Sequence, residues 1–221
     1  MRPTVKICGL MRAQDVEMCA RQGADIIGFV VDYPRPVPWN LSAESACELM
    51  RLVAKPAQTC IVTGGSADKI IALALQTKPD YIQLHCGETL EDTAHICIAL
   101  RGQGIKVIKA LFPDTPSLEQ AARQFSATGI HALLLDPRTP DNATGSGHTA
   151  DFAVYSQVRS AASCPVILAG GITPANVAEA ITRTGAPTID LMTGVERAPG
   201  IKDEAKVAAL FRAMRYLAGQ S

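Results

Sequence analysis

"PVILAGGITPANV", Pro165 to Val177, changes its pattern twice within one short stretch. Val166, Ile167, Leu168 and Ala169 are apolar without alternation, as in a parallel strand buried on both faces. Gly170 and Gly171 follow, then Thr173-Pro174, a helix-start signal in which the fixed φ of proline suits the first turn. Strand, glycine turn and helix in that order make one βα unit. The fold depends on how often the unit recurs.

It recurs along the whole chain. Apolar, β-rich runs begin near Val5, Ala24, Thr59, Tyr81, Lys106, His131, Pro165 and Thr188, at intervals of about 20 to 35 residues. "DIIGFVV", "TCIV", "VIKAL" and "HALLLD" read like "PVILAGG", short and apolar on both sides. Between them lie amphipathic helical patterns. Ala43, Ala46, Cys47, Met50 and Val53 share one face; so do Ile70, Ile71, Ala74 and Leu75, and later Val207, Leu210, Phe211, Met214 and Leu217. Ser42, and then Ser66 with Asp68, stand where helices should start. Eight such units predict an α/β chain, a single (β/α)8 barrel over residues 1–221, in preference to a doubly wound open sheet. The densest loop, Asp136 to Thr149, separates a strand from its own helix and reads as a long active-site loop.

Bulk properties narrow the partners. The 221 residues are 48% hydrophobic and 19% charged with formal net charge zero, enough for a large core and without a field to attract nucleic acid or a membrane surface. A small-molecule substrate is expected, with the chain a monomer or homodimer. The amino terminus has no signal-like apolar stretch and no run approaches the ~20 residues of a membrane span, so a cytoplasmic location is expected. Cysteines 8, 19, 47, 60, 86, 97 and 164 form no close pairs, and histidines 85, 95, 131 and 148 have no ligand spacing, so neither metal nor disulfide is expected.

In a barrel of this kind the reacting groups gather at the carboxyl ends of the strands. Cys8 ends the first run, Gln83 and His85 the fourth and Asp136 the sixth, while Asp190 lies in the eighth. The glycine turns "LAGGIT" (168–173) and "MTGVE" (192–196) follow the seventh and eighth, where backbone N–H groups can cradle a phosphate, so a phosphorylated substrate is expected. Each residue also has a plainer explanation. Cys8 could be a packing thiol, Asp136 a turn cap, His85 a hydrogen-bonded structural histidine and Gln83 a partner for buried backbone, while Arg35 and Lys202 could be surface charges. An ionisable Asp190 in an apolar strand is costly unless paired. Trp39 could stack on a substrate ring or cover a helix end. Cys86, next to an inward His85, should point away from the interior.

The segments "KICGL" (6–10), "GADIIGFV" (23–30), "QLHCGE" (83–88), "LLLD" (133–136), "TGSGHTADF" (144–152), "LAGGITPANV" (168–177) and "DLMTGVERAPGIKD" (190–203) together resemble the phosphoribosylanthranilate isomerase family of tryptophan biosynthesis. The resemblance implies a TIM barrel of the ribulose-phosphate-binding type and an Amadori rearrangement of a phosphorylated aminoaldose, with no cofactor. It assigns Cys8 as general base and Asp136 as general acid. Arg35 would hold the anthranilate carboxylate, Gln83, His85 and Asp190 would line the pocket, and Gly170, Gly171, Thr193 and Gly194 would form the phosphate cradle. The chemistry calls for a lowered thiol pKa and a raised carboxyl pKa. The chain departs from the family pattern in "DYPRPVPWNLS" (32–42), in Thr144, in the "IVTGGS" that closes the third strand and in Met192-Thr193. These departures leave open a paralogous barrel that acts on, or only binds, another phosphorylated sugar or nucleotide.

Overall fold

The computed structural model of the chain describes residues 2–137 and 150–218, the last three by backbone alone. Eight parallel strands form the frame: β1 (Thr4–Ile7), β2 (Ile26–Val31), β3 (Gln58–Thr63), β4 (Tyr81–Leu84), β5 (Lys106–Leu111), β6 (Ala132–Leu135), β7 (Val166–Ala169) and β8 (Thr188–Leu191). Each pairs with the next. β1 closes the ring by pairing with β2 (Lys6 opposite Ile26) and with β8 (Lys6 opposite Asp190). The helices α1 (Ala13–Gln22), α2 (Ala43–Met50), α3 (Ala67–Thr77), α4 (Leu90–Leu100), α5 (Leu118–Ser126), α6 (Phe152–Ala161), α7 (Val177–Thr184) and α8 (Glu204–Ala218) each follow one strand. None of them is long and apolar enough to cross a membrane, among the described residues.

Two separate apolar clusters explain strands that are apolar on both faces. Cys8, Ile26, Cys60, Ile108, Leu134 and Ile167 fill the barrel, while Ile7, Ile27, Ile61, Ile82, Leu133 and Leu168 meet the helices. At the amino-terminal end, carboxylates tie neighbouring strands together. Asp25 accepts from the Val5 amide at 2.7 Å and Asp80 from the Thr59 amide at 2.7 Å. The opposite end is left to the loops.

One helix reading needs adjustment. Ser42 and Ser66 cap α2 and α3 as expected, each hydroxyl accepting an amide N–H of the first turn. On α3, however, the buried face is Ile70, Leu73, Ala74 and Thr77, and Leu75 is exposed. Ile71, partly buried, still packs against the core, whereas Leu75, one 100° step round the helix from Ala74, does not. Thr173-Pro174 stand ahead of α7, which starts at Val177; the Val177 amide donates to the Thr173 carbonyl (3.0 Å), and the Asn176 side chain, accepting from the Thr173 amide (2.8 Å) and donating to the Gly171 carbonyl (2.9 Å), holds the intervening turn. The α8 face of Val207, Leu210, Phe211 and Met214 is buried as read, and the Leu217 side chain lies outside the description. Residues 138–149, including the "TGSG" segment, also lie outside it.

Candidate active site

Cys8, His85 and Asp136 each stand just beyond a barrel strand, and the sheet still holds their backbones. The Cys8 amide donates to the Leu191 carbonyl (2.8 Å), that of His85 to Thr63 (2.9 Å) and that of Asp136 to Leu111 (3.1 Å). Such continuation of the ladder fixes the direction of each side chain. Cys8 follows Lys6, and Asp136 follows Ala132 and Leu134, in the inward alternation, so both project into the same carboxyl-terminal mouth.

Around Cys8 the packing is tight. A Cβ on Gly28 of β2 would lie 2.8 Å from the Cys8 Sγ and 3.1 Å from its Cα, so only glycine leaves this thiol its place. Two residues before Cys8, fully buried Lys6 forms an ion pair with Asp190 at 2.7 Å. Asp190 therefore faces the interior, as the cost of an ionisable group in an apolar strand demands, and the Lys6 charge meets it there. The expected lowering of the Cys8 pKa is not found. Burial, the largest influence, pushes the thiol up; Lys6 opposes it, Asp190 adds to it and Lys202 opposes. Cys60, nearby in the interior, is pushed up to about 12 by burial. Alkylation of Cys8 by iodoacetamide in the substrate-free protein should therefore keep rising with pH beyond the range of an ordinary cysteine, as read by mass spectrometry of its peptide. Gly28→Ala should cut turnover about 10- to 100-fold by displacing the sulfur, with the circular dichroism spectrum unchanged.

On the other side of the mouth, Gln83, His85 and Asp136 form a chain. The Gln83 amide nitrogen lies 2.9 Å from the His85 Nδ1, and the His85 Nε2 lies 3.6 Å from the Asp136 Oδ2. With Gln83 donating, Nδ1 accepts and the ring proton sits on Nε2, toward Asp136. The buried Gln83 Oε1 has no hydrogen-bond partner among the described residues, and so offers an acceptor to a ligand. His85 packs edge-on against Phe112 with centroids 5.6 Å apart, and the Tyr33 hydroxyl donates to its carbonyl at 2.9 Å. Arg35 stands exposed on the loop after β2, close enough for its charge to act on Tyr33 and Cys86.

The β4–α4 loop is locked from behind. Lys109 of β5 points outward, buried, and pairs with Glu88 at 2.9 Å; it also donates to the Cys86 carbonyl (2.9 Å), while Glu88 accepts from the Cys86 amide (3.1 Å). A Cβ on Gly64 would collide with the Cys86 side chain, which accounts for "TGG" after β3. Cys86 packs against Gly64 and the cluster at the mouth, not toward the helix layer as the alternation suggested. β4 ends at Leu84, so its alternation does not reach Cys86.

Next to this lie the glycine turns. Gly170 (φ +90°) and Gly171 (φ +65°) take the left-handed conformation that glycine tolerates, and Pro137 packs directly on Gly170. Gly194, in a turn of 3-10 helix at Thr193–Val195, faces the Ile172 carbonyl so closely that any Cβ would strike it. The turns after β7 and β8 are thus in contact.

Several members of the site have no counterpart among the expected residues: Lys6, Gly28, Tyr33, Glu88, Lys109, Phe112 and Glu196. A charge inside an apolar run, as in "TVKI" and "VIKAL", was the available signal for the two lysines. Lys202, read as a possible surface charge, is buried against Glu196 at 2.7 Å. Trp39 does not stand free for stacking; it lies against the residue that closes the 3-10 turn after β8. Its indole N–H donates to Glu196 at 3.1 Å, and the ring is buried. No group of three or more potential metal ligands occurs among the described residues.

A family model described as N-(5'-phosphoribosyl)anthranilate (PRA) isomerase matches residues 5–213. The chain is 36% identical over 207 residues to the N-(5'-phosphoribosyl)anthranilate isomerase of Acinetobacter calcoaceticus, covering 92% of each chain. It is 35% identical over 210 residues to that of Halobacterium salinarum, covering 93% of this chain and 92% of the relative. Among solved structures, TrpF from Jonesia denitrificans superposes with a TM-score of 0.81 at 33% identity, covering 98% of both chains. A phosphoribosyl anthranilate isomerase in complex with reduced 1-(o-carboxyphenylamino)-1-deoxyribulose 5-phosphate gives 0.80 at 27% identity, covering 97% of this chain and all (100%) of the other.

Proposed function

The chain belongs to the N-(5'-phosphoribosyl)anthranilate isomerase family, and from that premise we propose how its residues divide the work. The reaction is the Amadori rearrangement of N-(5'-phosphoribosyl)anthranilate to 1-(o-carboxyphenylamino)-1-deoxyribulose 5-phosphate, an aldose-to-ketose isomerisation in tryptophan biosynthesis. Asp136 gives a proton to the ribose ring oxygen as the ring C–O bond breaks and the nitrogen lone pair forms a Schiff base. The Cys8 thiolate then takes the C2′ proton, and the electrons of that C–H bond neutralise the iminium as an enamine. Tautomerisation of the C2′ enol yields the ketose.

The placement of Cys8 and Asp136 at the ends of β1 and β6, both inward at one mouth, carries this reading. Support comes from the neighbours. His85 sits within 3.6 Å of Asp136 and can exchange a proton with it, and the positive charge of Lys6 favours the thiolate against burial. In the same proposal Gln83, His85 and Asp190 line the pocket and Arg35 meets the anthranilate carboxylate. Gly170, Gly171, Thr193 and Gly194 bring backbone N–H groups to the phosphate. One barrel domain, acting as a monomer or homodimer in the cytoplasm, completes it.

The test is direct. Supplied with N-(5'-phosphoribosyl)anthranilate, the protein should consume the anthranilate fluorescence with turnover. Binding without turnover would sink the catalytic assignment and favour a phosphosugar-binding barrel.

A further inference from the structure

We propose that Trp39 is a positioning residue for the turn after β8, holding Met192–Gly194 in its phosphate-binding shape through Glu196 and Lys202. The inference rests on the reading that this turn receives the substrate phosphate.

The three side chains are all buried and share one carboxylate oxygen. The Glu196 Oε1 accepts from the Trp39 indole (3.1 Å), from the Gly200 amide (3.3 Å) and from the Lys202 ammonium (2.7 Å). Lys202 also donates to the Met192 carbonyl at 3.3 Å, so the carboxylate that Trp39 engages orients the lysine that holds the turn. Hydrogen bonds to a charged acceptor are stronger and more directional than neutral ones, and burial keeps water from replacing them.

Trp39 is itself anchored. Residues Asn40–Leu41 add a short strand beside β2, with Asn40 opposite Val30, and the Asn40 side chain bonds both the amide and the carbonyl of Tyr33. The indole also abuts the chain next to Cys8. A Cβ on Gly9 (φ +72°) would lie 3.2 Å from the Trp39 Cδ1 and 2.7 Å from the Met192 Cε. The loop after β2 is therefore fastened at once to the end of β1 and to the turn after β8. "VPWNLS", which departs from the family pattern, and Met192, which departs beside the turn, meet here in space.

Trp39 is the sole tryptophan of the chain, so its emission reports on this contact without a label. In the full-length protein, inorganic phosphate should shift that emission along the isotherm that calorimetry gives for phosphate binding. Trp39→Phe keeps a ring but loses the N–H. It should weaken phosphate binding and raise KM about 3- to 10-fold, the range for one hydrogen bond, with kcat within about twofold of wild type. A role in stability alone would lower the thermal midpoint without splitting KM from kcat.

Trp39→Phe that binds phosphate as tightly as wild type overturns the inference, as does wild-type emission indifferent to phosphate that calorimetry shows to be bound. Gly194→Ala separates the underlying reading. If it binds phosphate like wild type, the turn is not the phosphate site and both statements fall.

Discussion

Cys8→Ser and Asp136→Asn should each lose at least ~100-fold in turnover, and up to ~10⁴-fold, while still folding and binding inorganic phosphate. Serine keeps nearly the size and position of the side chain, and its backbone N–H still donates a hydrogen bond to the Leu191 carbonyl, but a hydroxyl next to Lys6 is far less acidic than the thiol it replaces. Asparagine keeps the shape of Asp136 against His85 and removes the only proton it could give. Turnover followed by anthranilate fluorescence, with phosphate affinity measured in parallel, separates loss of chemistry from loss of the site. Wild-type turnover in Cys8→Ser would remove the proposed base. The pH profiles should differ as well. Because burial pushes the Cys8 thiol up in the substrate-free protein, kcat/KM of the wild type should keep rising on its alkaline side through the ordinary cysteine range.

Lys109→Met should cost about 3–5 kcal/mol of folding stability, the usual penalty for stripping one partner from a buried ion pair. Glu88 is 5% exposed and its Oε1 already has no hydrogen-bond partner among the described residues, so the carboxylate would be left buried without its cation. For a chain of this length the thermal midpoint should fall on the order of 10 °C. Replacing both partners, as Lys109→Met with Glu88→Leu, should recover much of that loss, since two apolar side chains of similar volume leave no stranded charge. Urea unfolding of the single and double variants reads the difference. A single variant as stable as wild type would show that the pair contributes nothing to the fold. The double variant is still expected to turn over slowly, because the Cys86 peptide that the pair holds on both sides lies next to His85.

The strands were legible because each is buried twice over. A segment enclosed by barrel and helices must be apolar on both faces, and no tertiary information is needed to see that in "TCIV" or "HALLLD". Helix phase was less secure. Leu75 is as apolar as Ile70 and Ile71, and only contact with the core decides that it is the one left exposed. Thr173-Pro174 do stand ahead of α7, but the turn that separates them from Val177 rests on the Asn176 side chain, whose partners no periodicity reveals.

Cys8, His85 and Asp136 could be named from the chain since strand ends are local features and the barrel sends all eight to one face. Their neighbours could not. Lys6 meets Asp190 across 184 residues and Trp39 meets Glu196 across 157, distances at which no periodicity carries information. Nor could the ionisation of Cys8 be read in advance, because the opposing effects of burial, Lys6 and Asp190 depend on how closely three strands pack.

By itself, then, the order of residues determined an eightfold repeat of strand and helix, the end of the barrel at which the loops gather and the strand-end positions of the two side chains proposed here as base and acid, since hydrophobic burial and turn geometry act over a few neighbours. Tertiary structure alone decided which charges are paired, which glycines make room and what surrounds the thiol. Electrostatics and packing act through space, and closure of the barrel sets those separations.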